Sequence, residues 1–254
     1  MKVFITGVSS GVGEALAGQL VGAGHTVWGV ARREELLRKI QSELGADKFL
    51  FAKCDVGNEN EVENTLKLMR AANFLPDVVV LNAAVLFQDV NFPYQHSLFK
   101  QALAVNVFGS LIWVDKFLPD FLKRGSGSFI AISSISAYLL NADSISYSVS
   151  KAALSMAFNG LRTRYWKDKI KFSVVYFGPI ATDLIPSWSF ENGKPRYPFV
   201  LSRKKAAEKV IKVINSKAGD YWFPFFATSF LRLSLLLPGD ILSNIFKYLK
   251  KISF

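Results

Sequence analysis

Residues 2–13 read Lys2-Val3-Phe4-Ile5-Thr6-Gly7-Val8-Ser9-Ser10-Gly11-Val12-Gly13. The opening run, Lys2–Thr6, is short and apolar, as a buried strand is. It passes at once into a turn rich in glycine and serine. From Gly11 the spacing changes: Val12, Leu16, Leu20 and Val21 recur at three- and four-residue steps, which predicts a helix over Gly11–Gly24. Strand, glycine turn and helix in that order form a receptor for a pyrophosphate. Backbone N–H groups at a helix N-terminus attract the anion, and glycine removes the Cβ that would hold it away. The expected cradle is Gly7, Ser9, Ser10, Gly11, Val12 and Gly13. Its spacing differs from the G-x-G-x-x-G fingerprint, so the reading leans on the flanking strand and helix.

Outward from this turn, strand and helix signals alternate. Strands are predicted at 26–30, 49–52, 77–81, 128–133, 171–177 and 220–223. Helices are predicted at 34–44, 59–72, about 98–122, 147–166 and 202–216, the last with Ser202 as N-cap. The run Asp77-Val78-Val79-Val80-Leu81 is continuously apolar after its first residue, as in a strand buried on both faces. Such alternation implies right-handed crossovers and a parallel sheet covered on both sides. The fold class is therefore α/β: a Rossmann-type, doubly wound parallel sheet in three α/β/α layers. One domain spans 1–224, including a substrate loop at about 183–200. Residues 225–254 are expected to form an apolar and basic helical extension packed on the same domain.

The chain has 254 residues, 50% of them hydrophobic and 20% charged, a composition that excludes global disorder. A single cysteine, Cys54, excludes an intrachain disulfide, and it reads as a buried packing residue. With two histidines, His25 at a strand start and His96 in a loop, no metal constellation presents itself. The N-terminal apolar run is too short for a signal peptide, so a cytoplasmic protein is expected. The net charge is +11, and residues 200–254 hold 10 Lys/Arg against 3 Asp/Glu. That excess suits an anionic partner or simply a solvated basic face. No nucleic-acid partner is expected. Peripheral membrane contact through 225–254 is one reading of Ile241, Leu242, Ile245, Phe246, Leu249 and Ile252 at helical spacing among lysines. Cover for the core or for a second copy is the other.

The second strand decides the dinucleotide. An NAD site places an acid at its end to bind the ribose 2′-hydroxyl. Here Ala31 stands in that place, followed by Arg32 and Arg33, and a guanidinium can fork onto a 2′-phosphate. The expected cofactor is NADP(H). Tyr147 and Lys151 lie four residues apart on one helical face. An ammonium beside a phenol favours the phenolate, and such a tyrosine can exchange a proton with a substrate oxygen. The strand before this helix ends in Ser133 and Ser134, at the sheet edge where ligands of open α/β sheets bind.

These residues resemble the short-chain dehydrogenase/reductase family over about Lys2–Thr182. Thr6-Gly7-x-x-x-Gly11-x-Gly13 is similar to its cofactor turn, and Arg32 to the arginine of members that prefer NADP(H). The resemblance implies that Asp55 and Val56 hold the adenine. Leu81, Asn82, Ala83 and Ala84 resemble its N-N-A-G segment, with leucine in place of the first asparagine and alanine in place of the last glycine. Gly178, Pro179, Ile180 and Thr182 correspond to the segment beside the nicotinamide. Ser134 lies 13 residues before Tyr147, the family's usual separation, and is preferred to Ser133. The implied roles are Tyr147 as general acid or base, Ser134 orienting the carbonyl oxygen, Lys151 lowering the tyrosine pKa and holding the ribose, and Asn106 supporting a proton relay. Tyr147 and Lys151 thus also count among the cofactor contacts. The implied activity is an NADP(H)-dependent oxidoreductase acting on a carbonyl or secondary alcohol of a hydrophobic small molecule, and a dimer or tetramer is expected. A non-catalytic NADP(H)-binding redox sensor and a membrane-associated adaptor are the alternatives. Trp188, Phe190, Tyr197 and Phe199 are candidate substrate contacts.

Overall fold

The computed structural model describes residues 1–87, 94–138, 142–182 and 200–225, with positions 184, 190–191, 194–195, 228–229 and 241 besides. Seven strands form one parallel sheet: β1 (Lys2–Thr6), β2 (Thr26–Ala31), β3 (Phe49–Lys53), β4 (Val78–Leu81), β5 (Gly127–Ser134), β6 (Ile170–Phe177) and β7 (Asp220–Phe223). Their order across the sheet is β7-β6-β5-β4-β1-β2-β3. The chain builds outward from β1 to β3, then returns to the other side of β1 with β4. The order therefore reverses between β1 and β4, and the carboxyl ends of those strands open a crevice there.

Helices cover both faces, as the alternation predicts. α1 (Gly11–Gly22), α2 (Glu34–Leu44) and α7 (Arg203–Ile214) pack on one side. α3 (Glu59–Ala71), α5 (Gly109–Arg124) and α6 (Ile145–Arg164) pack on the other. Alternate residues of the strands feed the two cores: Phe4, Phe129 and Phe172 face the α5/α6 side, while Val3, Ile5, Ile130 and Ile132 face α1. A row of aromatic rings, Phe4, Trp113, Phe117, Phe121, Phe129 and Phe172, runs across the first core with neighbouring centroids 4.5–6.3 Å apart. Each such ring removed from water contributes roughly 1.5–3 kcal/mol.

Four local expectations are revised. His96 does not sit in a loop; it opens α4 (His96–Leu103). The long helix is also not uniform, because Ala104–Phe108 forms a π-helical turn between α4 and α5. One extra residue per turn rotates α5 relative to α4 and re-aims Asn106. Ile180–Ala181 pairs in parallel with Leu201–Ser202. Within the expected loop, Phe190–Glu191 pairs antiparallel with Lys194–Pro195, so part of it is a hairpin. Ser202 does cap α7, its hydroxyl accepting from the Lys205 N–H at 3.2 Å. Trp188, Tyr197, Phe199 and nearly all of 225–254 lie outside the described residues.

Candidate active site

The crevice has two ends, one at the glycine turn, where the sequence reading expects phosphate, and one where β5 and α6 meet, where it expects the chemistry. At the phosphate end, Gly7 and Gly11 take φ of +70° and +65°, a region that side chains disfavour. A Cβ on Gly7 would lie 2.7 Å from the Ala83 Cα, so the turn presses directly on the segment after β4. That segment latches it. The Asn82 side-chain amide donates to the Thr6 and Gly7 carbonyls at 3.1 and 3.0 Å, and the Thr6 hydroxyl accepts from the Asn82 and Ala83 N–H groups at 3.0 Å each. Thr6 is buried, so the latch is shielded from water. The first N–H groups of α1, from Gly11 to Gly13, have no carbonyl one turn earlier within the helix and point along its axis. Thr182 faces this opening: a Cβ on Gly11 would meet its methyl at 3.3 Å.

Arg33 crosses the mouth of the turn, donating to the hydroxyls of Ser9 at 3.1 Å and Ser10 at 2.9 Å. Arg32 is exposed beside it. Position alone favoured Arg32, and the contact to the turn belongs to Arg33. Asp55 follows β3, its carboxylate accepting from the Gly57 N–H at 3.0 Å while its own N–H donates to Glu61 at 2.8 Å. Val56 is buried against Gly109, where a Cβ would lie 2.7 Å from it. Glycine there lets α5 approach this loop.

At the chemical end, β5 and α6 converge. Ser134, the last residue of β5, brings its hydroxyl within reach of the Tyr147 phenol. It also accepts from the Ser136 N–H at 3.1 Å, which fixes the short turn Ile135–Ala137. Ser133 faces the other way: it is buried, 2.8 Å from the Ser155 hydroxyl. The two serines thus have different partners. Lys151 is buried, its Nζ donating to the Ile132 carbonyl at 2.8 Å and standing 5.6 Å from the Tyr147 ring centre.

Burial dominates the electrostatics of this pair. It pushes the Tyr147 phenol up to about 12, opposed by the Ser134 hydrogen bond, and pulls Lys151 down to about 8. The expectation that the ammonium sets the phenol low is not met in this state: burial, which disfavours the phenolate, sets the direction, and the Ser134 hydroxyl is what opposes it. At neutral pH the phenol holds its proton and the lysine its charge.

Asn106 is fully buried on the π-helical turn. Its carbonyl accepts from the Val85 N–H at 2.8 Å, and its amide donates to the Val85 carbonyl and the Ser150 hydroxyl, both at 2.9 Å. It joins the segment after β4 to α6. The Thr6 hydroxyl's bonds to Asn82 and Ala83, and Ser150 as the partner of Asn106, are contacts the sequence reading does not anticipate, since each joins distant segments. Gly178 donates to the Phe223 carbonyl at 2.8 Å, Pro179 accepts from Leu201 at 3.0 Å, and the Thr182 hydroxyl donates to the Ile180 carbonyl at 3.5 Å. Those contacts hold the post-β6 segment across the crevice from Gly11.

Comparisons with known proteins agree with this geometry. The family model described as short chain dehydrogenase matches residues 1–192. An uncharacterised oxidoreductase of Staphylococcus aureus strain MW2 is 29% identical over 194 residues, 76% of this chain and 84% of that one. A counterpart from Staphylococcus haemolyticus has the same identity and coverage. Among solved structures, a short-chain dehydrogenase from Streptomyces avermitilis superposes with a TM-score of 0.80 at 26% identity, covering 99% of this chain and 97% of that one. A serine dehydrogenase complexed with NADP+ superposes at 0.78 with 22% identity, covering 88% and 94%. An alcohol dehydrogenase from Thermococcus sibiricus complexed with 5-hydroxy-NADP does so at 0.75 with 24% identity, covering 88% and 96%. With the crevice, the latched glycine turn and a model match over three quarters of its length, the chain belongs to the short chain dehydrogenase family of oxidoreductases.

Proposed function

We propose that the protein is an NADP(H)-dependent oxidoreductase that interconverts a carbonyl and an alcohol on a hydrophobic small molecule, with Tyr147 as the acid–base group. The observation that carries this reading is the convergence of a serine hydroxyl, a protonated phenol and a buried ammonium at the carboxyl end of β5.

A nicotinamide dinucleotide fits the residues present: the glycine turn offers close backbone approach, and Ser9, Ser10 and Arg33 supply donors at its mouth. In the reading proposed, Gly7, Gly11, Val12 and Gly13 meet the pyrophosphate, and Arg33 and Arg32 meet a 2′-phosphate. Asp55 and Val56 border the adenine. Asn82, Ala83, Ala84, Gly178, Pro179, Ile180 and Thr182 border the ribose and nicotinamide. Ala31 in the acid's place followed by Arg32 and Arg33, together with two structural neighbours solved with NADP+ or 5-hydroxy-NADP, supports NADP(H) over NAD(H). When bound, the dinucleotide supplies or accepts the hydride.

The chain's own groups do the rest. Ser134 donates to the substrate oxygen and fixes its direction. Tyr147 gives that oxygen a proton in reduction and takes one in oxidation. Lys151 offers positive charge to the phenolate as it forms and a donor to the ribose. Asn106 holds α6 against the post-β4 segment. On the outer face of α6, Ile145, Val149 and Met156 leave an exposed apolar stripe, which supports the expected pairing of copies.

The test is a cofactor and substrate screen. NADPH binds more tightly than NADH, and NADPH is oxidised with a subset of apolar aldehydes and ketones. Tighter NADH binding overturns the assignment of the arginines. Binding without turnover against the whole panel favours the redox-sensor alternative.

A further inference from the structure

α6 presents Tyr147, Lys151 and Ser155 at steps of four residues, so the three form one stripe facing the sheet. The chemistry uses the first two. Ser155 is buried, donates to the Lys151 carbonyl at 2.8 Å and lies 2.8 Å from the Ser133 hydroxyl. From Ser155 a line of hydroxyls continues away from the crevice. The Ser155 hydroxyl lies within reach of the phenol of Tyr176, which pairs across the sheet with Ser133, and the Tyr176 hydroxyl stands 3.3 Å from that of Tyr138.

Both ends of this line matter. Tyr176 sits on β6 opposite Ser133 and is fully buried, stacked at 4.1 Å on Trp222. Tyr138 comes directly after the turn that Ser134 begins, and its ring packs against both Tyr176 and Trp222. Packing alone would be served by phenylalanine at 176. The hydroxyl there is buried, and a buried hydroxyl is tolerated only when it is bonded. Its neighbours, Tyr138 at 3.3 Å and the Ser155 hydroxyl, belong to the two elements whose relative position sets the site.

We propose that Tyr176 is a positioning residue: its hydroxyl, held between Ser155 and Tyr138, fixes the α6 stripe bearing Tyr147 and Lys151 against the turn bearing Ser134. The inference rests on the reading of that site as the reacting centre. The titratable and charged groups around the line are Tyr147 and Lys151 on α6, Tyr138 after the turn, Tyr176 on β6, and Asp220 on β7, which pairs with Arg162 at 2.7 Å.

The test is Tyr176→Phe, which keeps ring and volume. Protein carrying 13C-labelled lysine is titrated by NMR, with the Lys151 signal assigned from Lys151→Met. If the line holds α6 in place, water gains access to Lys151 in Tyr176→Phe, and its titration moves from about 8 upward by about half a pH unit or more, toward the ordinary lysine value. With an active carbonyl substrate, kcat falls about tenfold, as a sub-ångström displacement of a reacting group predicts, while the NADPH dissociation constant stays within about twofold. Tyr138→Phe has the same signature, and the double variant is no worse than the single, since both cut one line. An unchanged Lys151 titration overturns the proposal, as does equal loss of NADPH affinity and kcat, which would mark general loosening. A wild-type protein that turns over no carbonyl defeats the proposed function instead, and the lysine titration still decides this inference.

Discussion

The two ends of the crevice are built from different materials. The phosphate end is made of backbone: two glycines at positive φ, helix N–H groups and a side-chain latch from Asn82, with its charged residues, Arg32 and Arg33, out in solvent. The chemical end is made of buried side chains: Tyr147, Lys151 and Asn106 are all shielded from water. The difference suits the task that the proposed function gives each end. Recognising an anion needs donors at a fixed spacing, which peptide groups supply at no cost in buried charge. Moving a proton needs a group whose two charge states are balanced by the protein, and burial is what makes that balance strong.

The comparison breaks most visibly at Ser134. If the chemical end depends on this one donor, Ser134→Ala lowers kcat by about 10²–10³-fold while NADPH affinity stays near wild type. Ser133→Ala, next in sequence but bonded to Ser155, leaves kcat within an order of magnitude and costs about 1 kcal/mol of stability. Steady-state kinetics and urea unfolding on both variants check this pair. Equal kinetic losses would erase the distinction between the two hydroxyls.

Arg33→Ala tests the other end. Loss of a charge-assisted contact to a phosphate weakens NADPH binding by about 10–100-fold and changes NADH binding little, as fluorescence titration reads out. A matched loss for both dinucleotides would move the 2′-phosphate contact elsewhere, with Arg32 the nearest candidate.

The smallest effect is a pH dependence. Lys151 titrates near 8 folded and near 10.4 unfolded, so between those values the unfolded state holds more protons and stability rises with pH. The wild type therefore gains stability relative to Lys151→Met from about pH 8 toward 10, on the order of 1–3 kcal/mol. Taking the difference removes the opposing contributions of Cys54 and the buried tyrosines, whose raised pKa values make stability fall at higher pH. Equal slopes for the two proteins would show that Lys151 is less desolvated than its burial indicates.

Much of this architecture was legible in the sequence because it is local. Helical spacing puts Tyr147 and Lys151 on one face, and the glycine turn announces its strand and helix. α2 and β7 were bounded correctly by periodicity alone. What escaped is what depends on distant chain segments. The latch between Asn82 and Thr6 spans 76 residues, and no local pattern encodes it. The π-helical turn at Asn106 needs the packing of α4, α5 and α6 together. Arg33 rather than Arg32 reaches the serines because the strand end fixes which side chain points inward, a one-residue question of facing. The direction of the Tyr147 shift depends on burial, which a four-residue spacing does not report.

The central claim is that the Tyr147 phenol exchanges a proton with the substrate oxygen. Single-turnover mixing of NADPH-loaded protein with an active carbonyl substrate, monitored by nicotinamide absorbance, tests it most directly. We predict that Tyr147→Phe binds NADPH as the wild type does and loses about 10²–10⁴-fold in the hydride-transfer phase. A variant that transfers hydride at the wild-type rate would contradict the account.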